Sequence, residues 1–313
     1  MKKILFGFLS LAAVCAVAAS NTTTMIVAFP PGGPVDSMAR SLVEPLGKEL
    51  GTQIIIENKP GGNGAIAAQY LASNPDNGKT IWFTSAGAVA INPGLYEKLA
   101  YNPSKDLAPI SLVANNVEVL VVNPDTPANN AAEFVALAKK KDLTMGSSGT
   151  GSVPHLALEQ LNDAVHVNIL HVPYKGAAPA ITDVMANHID GFFGDIPGLI
   201  GYIRSGKVKA IGLAAEKRNE AIPNVKTFNE MGMKGVDTNN WYAVFAKAGT
   251  SKADIDQISA AIRKVVQQEP LKTKLMQAGS EPVGSTPEEL AATLKRDTAK
   301  WAELIKAKKI TPE

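Results

Sequence analysis

The stretch Met25-Ile26-Val27-Ala28-Phe29-Pro30-Pro31-Gly32-Gly33-Pro34 decides the fold class of this chain. Its first five residues form an apolar run typical of a buried strand. The Pro- and Gly-rich segment that follows predicts a turn, and the next residues repeat apolar side chains at helical spacing as far as Gly51. A buried strand, a tight turn and an amphipathic helix form one unit of an α/β fold.

The same alternation of strand and helix continues along the chain in two sets. Further strands are predicted at 53–57, 80–84, 117–122, 143–146, 169–172, 191–193, 210–214 and 241–246. Helices are predicted at 65–72, 131–139, 154–163, 178–187, 251–268, 287–295 and 298–307. Such alternation predicts parallel sheets with helices on both faces. We therefore predict two α/β lobes: residues 20–122 together with 226–313, and residues 123–225.

The composition supports a folded protein of one large domain or two ordinary ones and excludes several other classes. The 313 residues are 45% hydrophobic and 19% charged, which is too apolar for a disordered chain and sufficient for two cores. Without Lys2 and Lys3, which we expect to be removed with the N-terminal segment, the 31 basic residues become 29 and match the 29 acidic ones. A neutral chain with 6% aromatic residues is not the profile of a nucleic-acid binder.

Residues 1–19 have the pattern of a secretory signal peptide. Two lysines precede an apolar run, and small residues allow cleavage after Ala18 or Ala19. The run is short for a membrane anchor, and the bulky Val14 disfavours a lipoprotein attached through Cys15. Because Cys15 is the single cysteine, the mature chain has no thiol and no disulfide. We predict export to a bacterial periplasm.

No signature of a catalytic, metal or cofactor site is complete in the sequence. The Gly-rich segment 146–152 looks like a phosphate loop, but no lysine follows its last glycine and no serine stands in a G-x-S-x-G pattern. The four histidines lack the spacing of a zinc site. We therefore predict no catalytic residue, no metal and no cofactor. A periplasmic hydrolase using Ser148 or Ser152 with His155 or His171 stays an alternative, as does a sensory binding protein.

Three strand–loop–helix junctions, at 29–36, 147–155 and 174–179, are built from small and turn-forming residues. Each places a helix N-terminus, with unpaired N–H groups and a positive partial charge, after the end of a strand. Such ends bind small anions, and open α/β sheets bind ligands in the crevice beyond their strand ends. The mature chain has five arginines, none of them in these loops. The junctions therefore predict a site in which neutral donors hold a small carboxylate.

The first junction, Phe29-Pro30-Pro31-Gly32-Gly33-Pro34-Val35-Asp36, resembles the opening motif of the Bug-type periplasmic binding proteins. These are the solute-binding components of tripartite tricarboxylate transporters. Further matching motifs follow in the same order: Glu57-Asn58-Lys59-Pro60-Gly61, Ser148-Gly149-Thr150-Gly151-Ser152 and His171-Val172-Pro173-Tyr174-Lys175-Gly176. The resemblance extends over about residues 25–305.

The resemblance implies a type II flytrap, in which two lobes with doubly wound sheets close on a small carboxylate without catalysis. It also implies delivery of the ligand to the permease subunits in the membrane, and we expect a monomer. The residues that we predict to bind the ligand are Phe29, Pro31, Gly32, Gly33, Asp36, Ser85, Ala86, Ser148, Gly149, Thr150, Ser152, His155, Tyr174, Gly176 and Asp195. Asp36 and Ser152 have an alternative role as helix caps, and His155 has one in packing.

Overall fold

A computed structural model describes residues 22–74 and 78–312, so the predicted signal peptide, 1–19, lies outside the described residues. The strands are β1 (Thr22–Val27), β2 (Gln53–Asn58), β3 (Thr80–Ser85), β4 (Leu107–Val122), β5 (Thr144–Ser147), β6 (Leu170–Pro173), β7 (Gly191–Asp195), β8 (Lys209–Leu213), β9 (Asn239–Lys247) and β10 (Ser280–Pro282). The helices are α1 (Pro34–Leu50), α2 (Ala65–Ser73), α3 (Asn92–Leu95), α4 (Pro103–Asp106), α5 (Ala131–Ala138), α6 (Val153–Val165), α7 (Ala177–Met185), α8 (Ile196–Arg204), α9 (Lys252–Val266), α10 (Leu271–Gln277) and α11 (Pro287–Lys308).

The long strand β4 joins two halves of one sheet. In the described part of the chain the strand order is β2-β1-β3-β9-β4-β7-β5-β6, with β10 and β8 also paired to β4. The part of β4 up to Val117 pairs with β9, and the part from Glu118 onward pairs with β7 and β8. The predicted parallel pairing holds for β1, β2 and β3 and for β5, β6 and β7. It is wrong for β4 and β9, which run antiparallel to their neighbours.

Both halves of the sheet are covered on two faces, which confirms the predicted α/β fold. In β1, Met25 and Val27 lie in one hydrophobic core while Ile26 lies in another, because successive side chains of a strand point to opposite faces. In β4, Val119 and Leu120 divide between two further cores in the same way. Within the described part of the chain, four cores therefore flank the sheet, two for each half.

Several elements differ from the sequence prediction, among them the short α3, α4, α10 and β10, which the sequence did not predict. Strand β4 begins at Leu107 and not at 117. Its first part was not predicted because Pro109 and several polar residues interrupt the apolar pattern there, and this part has bulges opposite β9. The predicted helices 287–295 and 298–307 are the single helix α11, since no Gly or Pro separates them. Helix α8 was not predicted, because Pro197 and Gly198 mark turns as often as first turns of helices.

The chain crosses between the two halves within β4 and again before β9. Phe228, Met233 and Val236 still pack in a core of the second half, and the chain returns to the first half at Asn239. Division into two moving lobes at residues 122 and 226 stays a prediction. Within 22–74 and 78–312, no helix has both the length and the apolarity that a membrane crossing requires.

Candidate ligand-binding site

A cavity of about 110 Å³ lies where the two halves meet. From the first half it is lined by Phe29, Pro30, Pro31, Gly33, Pro34, Val35, Asn63, Ser85, Asn240 and Tyr242. From the second half it is lined by Ser148, Ser152, Val153, Pro154, Lys175, Gly176, Ala177, Ala178, Pro179, Ile181, Phe192, Gly194, Asp195, Gly198 and Leu199. An apolar cavity of roughly 150 Å³ admits benzene, so this one suits a molecule of a few non-hydrogen atoms.

The turn that follows β1 is held in place by Asp36. The Asp36 carboxylate accepts hydrogen bonds from the Gly32 N–H at 2.9 Å, from Arg40 Nε at 2.8 Å and from Asn58 Nδ2 at 2.8 Å. Burial alone would raise the pKa of Asp36, but these hydrogen bonds keep it below its usual value. Gly32 has φ of +81°, which favours glycine. Asp36 and Gly32 do not line the cavity themselves, but they hold the turn whose other residues do.

The loop between β5 and α6 brings two serines to the cavity. Ser148 and Ser152 line the cavity, while Gly149 and Gly151 take positive φ values of +128° and +75°. Ser152 occupies the N-cap position of α6, but its side chain makes no cap hydrogen bond. Its Oγ is buried without a hydrogen-bonding partner among the described residues. A buried hydroxyl without a partner is destabilising, so this Oγ is available to a ligand or a water molecule.

His155 and His171 fix the same loop from behind. Their rings stack with centroids 3.7 Å apart, and His155 Nδ1 accepts a hydrogen bond from the Gly151 N–H at 3.1 Å. Burial, with a smaller effect of His171, lowers the pKa of His155 to about 3, so its ring is neutral, as an acceptor nitrogen requires. His171 Nε2 lies 2.6 Å from Oγ of Ser147, which is fully buried and also bonds to Gly149.

The junction before α7 contributes Lys175 and Gly176 to the cavity, but Tyr174 points elsewhere. The Tyr174 hydroxyl donates to Asp183 Oδ2 at 2.6 Å. Burial and this hydrogen bond raise the pKa of Tyr174 to about 12. Gly176 is the N-cap residue of α7 and has φ of +118°. Lys175 is the one basic side chain on the part of the cavity wall that the structure describes.

Asp195, Asn240 and Tyr242 form the floor of the cavity and make a buried polar cluster with Glu118, which does not itself line the cavity. The Tyr242 hydroxyl donates to Asp195 Oδ2, and Asn240 Nδ2 donates to Asp195 Oδ1 at 2.8 Å. Asn240 Nδ2 also lies 3.3 Å from Glu118 Oε1. Burial, together with the charge of Asp195, raises the pKa of Glu118 well above its usual value.

The structure thus brings only part of the predicted set to the cavity. The predicted residues on its wall are Phe29, Pro31, Gly33, Ser85, Ser148, Ser152, Gly176 and Asp195. The predicted residues outside the lining set are Gly32, Asp36, Ala86, Gly149, Thr150, His155 and Tyr174. Four polar residues of the wall were not predicted: Asn63, Lys175, Asn240 and Tyr242. Lys175 lies within a quoted motif, whereas Tyr242 lies in an apolar strand that gives no signal of a polar site.

The two halves touch each other around the cavity. Asn63 Nδ2, from the first half, donates to the Gly151 carbonyl of the second half at 3.2 Å. A Cβ atom on Gly151 would lie 2.1 Å from a methyl carbon of Leu95, and one on Gly198 would lie 2.5 Å from the ring of Pro34. In the described structure the two halves are therefore in direct contact beside the cavity.

A wider groove of about 1000 Å³ lies elsewhere on the molecule. It is lined by charged and polar residues of 214–220, 279–282 and 296–301, among others. None of the predicted ligand-binding residues lines this groove. It also lacks the junctions 29–36, 147–155 and 174–179, so the smaller cavity is the candidate site.

Comparison with known proteins agrees with this architecture. The family described as "Tripartite tricarboxylate transporter family receptor" matches residues 38–310. The chain belongs to this receptor family. The Bug-type resemblance is likewise confirmed: the structure of the periplasmic binding protein BugD is 31% identical, with a TM-score of 0.87 over 93% of this receptor and 99% of that chain.

Two further solved structures resemble this receptor and contain ligands. MatC from Rhodopseudomonas palustris, with bound malate, is 30% identical with a TM-score of 0.85, over 91% of this receptor and 98% of that chain. Rpa4515 of R. palustris, with adipate, is 27% identical with a TM-score of 0.90, over 95% of this receptor and 100% of that chain. These similarities confirm the predicted fold of a periplasmic binding protein.

Proposed function

We propose that this receptor is a periplasmic solute-binding protein that captures a small carboxylate in the cavity and delivers it to the membrane subunits of a tripartite transporter. One observation carries the proposal: turns from both halves meet at a small cavity, beside the Oγ of Ser152, which is buried and has no hydrogen-bonding partner among residues 22–74 and 78–312. Helix N-termini and hydroxyl groups are suited to bind carboxylate oxygens. Malate and adipate in two similar structures support the same ligand class.

We also propose that the receptor does not catalyse a reaction on its ligand. A hydrolase would need a serine on the cavity wall hydrogen-bonded to a basic histidine. The observed serine–histidine contact involves Ser147, whose side chain is fully buried behind the loop. His155 uses Nδ1 to accept the Gly151 N–H and has a pKa far below the range of a general base. This contact therefore supports a role in holding the loop.

We further propose that the predicted lobes, residues 20–122 with 226–313 and residues 123–225, close over the ligand, with residues 118–122 and 226–238 moving with the second half, in whose sheet and core they pack. The hydrogen bond from Asn63 to Gly151 and the close packing of Gly198 on Pro34 support this, because separation of the lobes would break both contacts. A ligand that contacts both lobes favours the closed state by its differential affinity. The expected monomer stays a prediction.

Mass spectrometry of the ligand released from protein purified from its native host tests the proposed function. The candidates it identifies, and a panel of mono- and dicarboxylates, are then titrated by calorimetry. We expect the released ligand to carry a carboxylate and to bind again with a stoichiometry of one. A preference for sugars or cations over every carboxylate would overturn the proposal, and turnover of the ligand or of a generic ester would overturn the absence of catalysis.

A further inference from the structure

The side-chain hydrogen-bond donors at the floor of the cavity are already bonded to acceptors of the same cluster. Tyr242 has one hydroxyl proton, and it is donated to Asp195. Asn240 has two amide protons, and its Nδ2 lies within reach of Asp195 Oδ1 at 2.8 Å and Glu118 Oε1 at 3.3 Å. These contacts fix the orientation of the amide, so that Asn240 Oδ1 is the atom left over.

The groups that remain at the floor are acceptors. Asn240 Oδ1 has no hydrogen-bonding partner in the part of the chain that the structure describes, and Asn240 is 6% exposed. An ionised carboxylate has about four lone-pair sites, and two side-chain donors from β9 occupy part of this capacity in Asp195. Asp195 and Asn240 both line the cavity. A ligand group that reaches them needs a proton to donate.

The floor also carries a negative charge without a cation. Glu118 and Asp195 are opposite each other in the ladder between β4 and β7, and both are buried. No lysine, arginine or histidine forms an ion pair with either of them among residues 22–74 and 78–312. Two buried carboxyl groups this close do not both ionise, so one proton stays with the pair. Glu118, which is fully buried and does not line the cavity, keeps the proton and donates it to Asp195, which bears the charge.

We propose that this floor makes the receptor selective for a ligand with one carboxylate, held at the turns, and a hydroxyl or ammonium group that donates to Asp195. The inference rests on the proposed function and narrows its ligand class. A second carboxylate at the floor meets the charge of Asp195 and the lone pair of Asn240 Oδ1 with no donor to bind. An unsubstituted alkyl end leaves both acceptors unpaired, which a site built for hydrogen bonding disfavours strongly. Lys175 remains on the wall as a partner for the ligand's single carboxylate.

Four classes of acid test this selectivity by calorimetry: unsubstituted monocarboxylates, ω-hydroxy acids, ω-amino acids and dicarboxylates, each with three to six carbons. We expect the best hydroxy or amino acid to bind at least tenfold more tightly than the best member of the other two classes. Comparison of the affinities of the hydroxy acids and the amino acids shows whether the site prefers a hydroxyl or an ammonium donor. In Asp195→Asn, whose new amide can donate, the preference over dicarboxylates should fall at least tenfold.

A matched control variant separates the role of Asp195 from general effects. Asp142→Asn makes the same substitution at an exposed residue outside the cavity and should keep the wild-type order of affinities. Wild-type protein that binds a dicarboxylate or an unsubstituted acid as tightly as the best hydroxy and amino acids overturns the inference alone. Protein that binds no carboxylate of any class overturns the proposed function.

Discussion

Replacement of Ser152 by alanine separates a ligand contact from a structural cap. Ser152 lies at the N-cap of α6 without a cap hydrogen bond, and its Oγ is buried without a partner in the described chain. If this hydroxyl donates to a ligand carboxylate, the bond is charge-assisted. Its loss should cost about 1.5–3 kcal/mol, or roughly ten- to a hundredfold in affinity. Since no cap bond is lost, the melting temperature of the ligand-free protein should stay the same or rise.

Ser251→Ala is the matched control for this variant. Ser251 caps α9, accepts a hydrogen bond from the Asp254 N–H at 3.1 Å, and does not line the cavity. Loss of such a cap costs about 1 kcal/mol, so Ser251→Ala should melt roughly 2–4 °C lower and bind with unchanged affinity. Calorimetry and thermal unfolding of both variants measure the contrast. Ser152→Ala that binds as tightly as wild type but melts lower would refute the reasoning.

Three other substitutions probe closure and the buried groups. Gly151→Ala should weaken binding at least tenfold, because the new Cβ would lie 2.1 Å from Leu95 and the residue has φ of +75°. Calorimetry measures the affinity, and an unchanged affinity would show that closure does not need this contact. Wild type should lose stability as the pH rises above about 4.3, because folded Glu118 keeps a proton that the unfolded chain releases, and Glu118→Gln should abolish this loss. Urea unfolding at about pH 5 and 8 measures whether the free energy of unfolding falls in wild type and not in the variant. Between pH 6 and 4 the unfolded chain protonates His155 but the folded protein, with a pKa of about 3 there, does not, so wild type should lose up to about 1.4 kcal/mol of unfolding free energy per pH unit. His155→Gln should lose less; if urea unfolding shows the same loss in both proteins, the reasoning is contradicted.

The turns of the site could be predicted from sequence because local chemistry specifies them. Phe29 to Pro34 and Ser148 to Ser152 are dense in Gly, Pro and Ser, and the structure puts members of both on the cavity wall. The role of Asp36 also had a local signal, since Arg40 stands four residues later, at the spacing of a helical ion pair. This spacing indicates that the Asp36 carboxylate forms an ion pair with Arg40 of the same helix and is not free to bind a ligand.

The floor of the cavity could not be predicted because its parts meet only through the sheet. Glu118, Asp195 and Asn240 are far apart in the chain and become neighbours through the pairing of β4 with β7 and β9. Tyr242 lies in an apolar strand, where burial in a core is the usual outcome. The contact of Ser147 with His171 likewise depends on the register of β5 against β6. Register between distant strands is a tertiary property that local patterns do not encode.

A crystal structure of the protein saturated with the carboxylate that calorimetry selects tests the central claim most directly. The account predicts the carboxylate in the small cavity, with its oxygens within hydrogen-bonding distance of Ser152 Oγ and of the turn at Gly33. It also predicts Asn63 bonded to the Gly151 carbonyl in that closed state, as in the present structure. A ligand bound instead in the groove between 214–220 and 279–282, with Ser152 Oγ still unpartnered, would contradict the account.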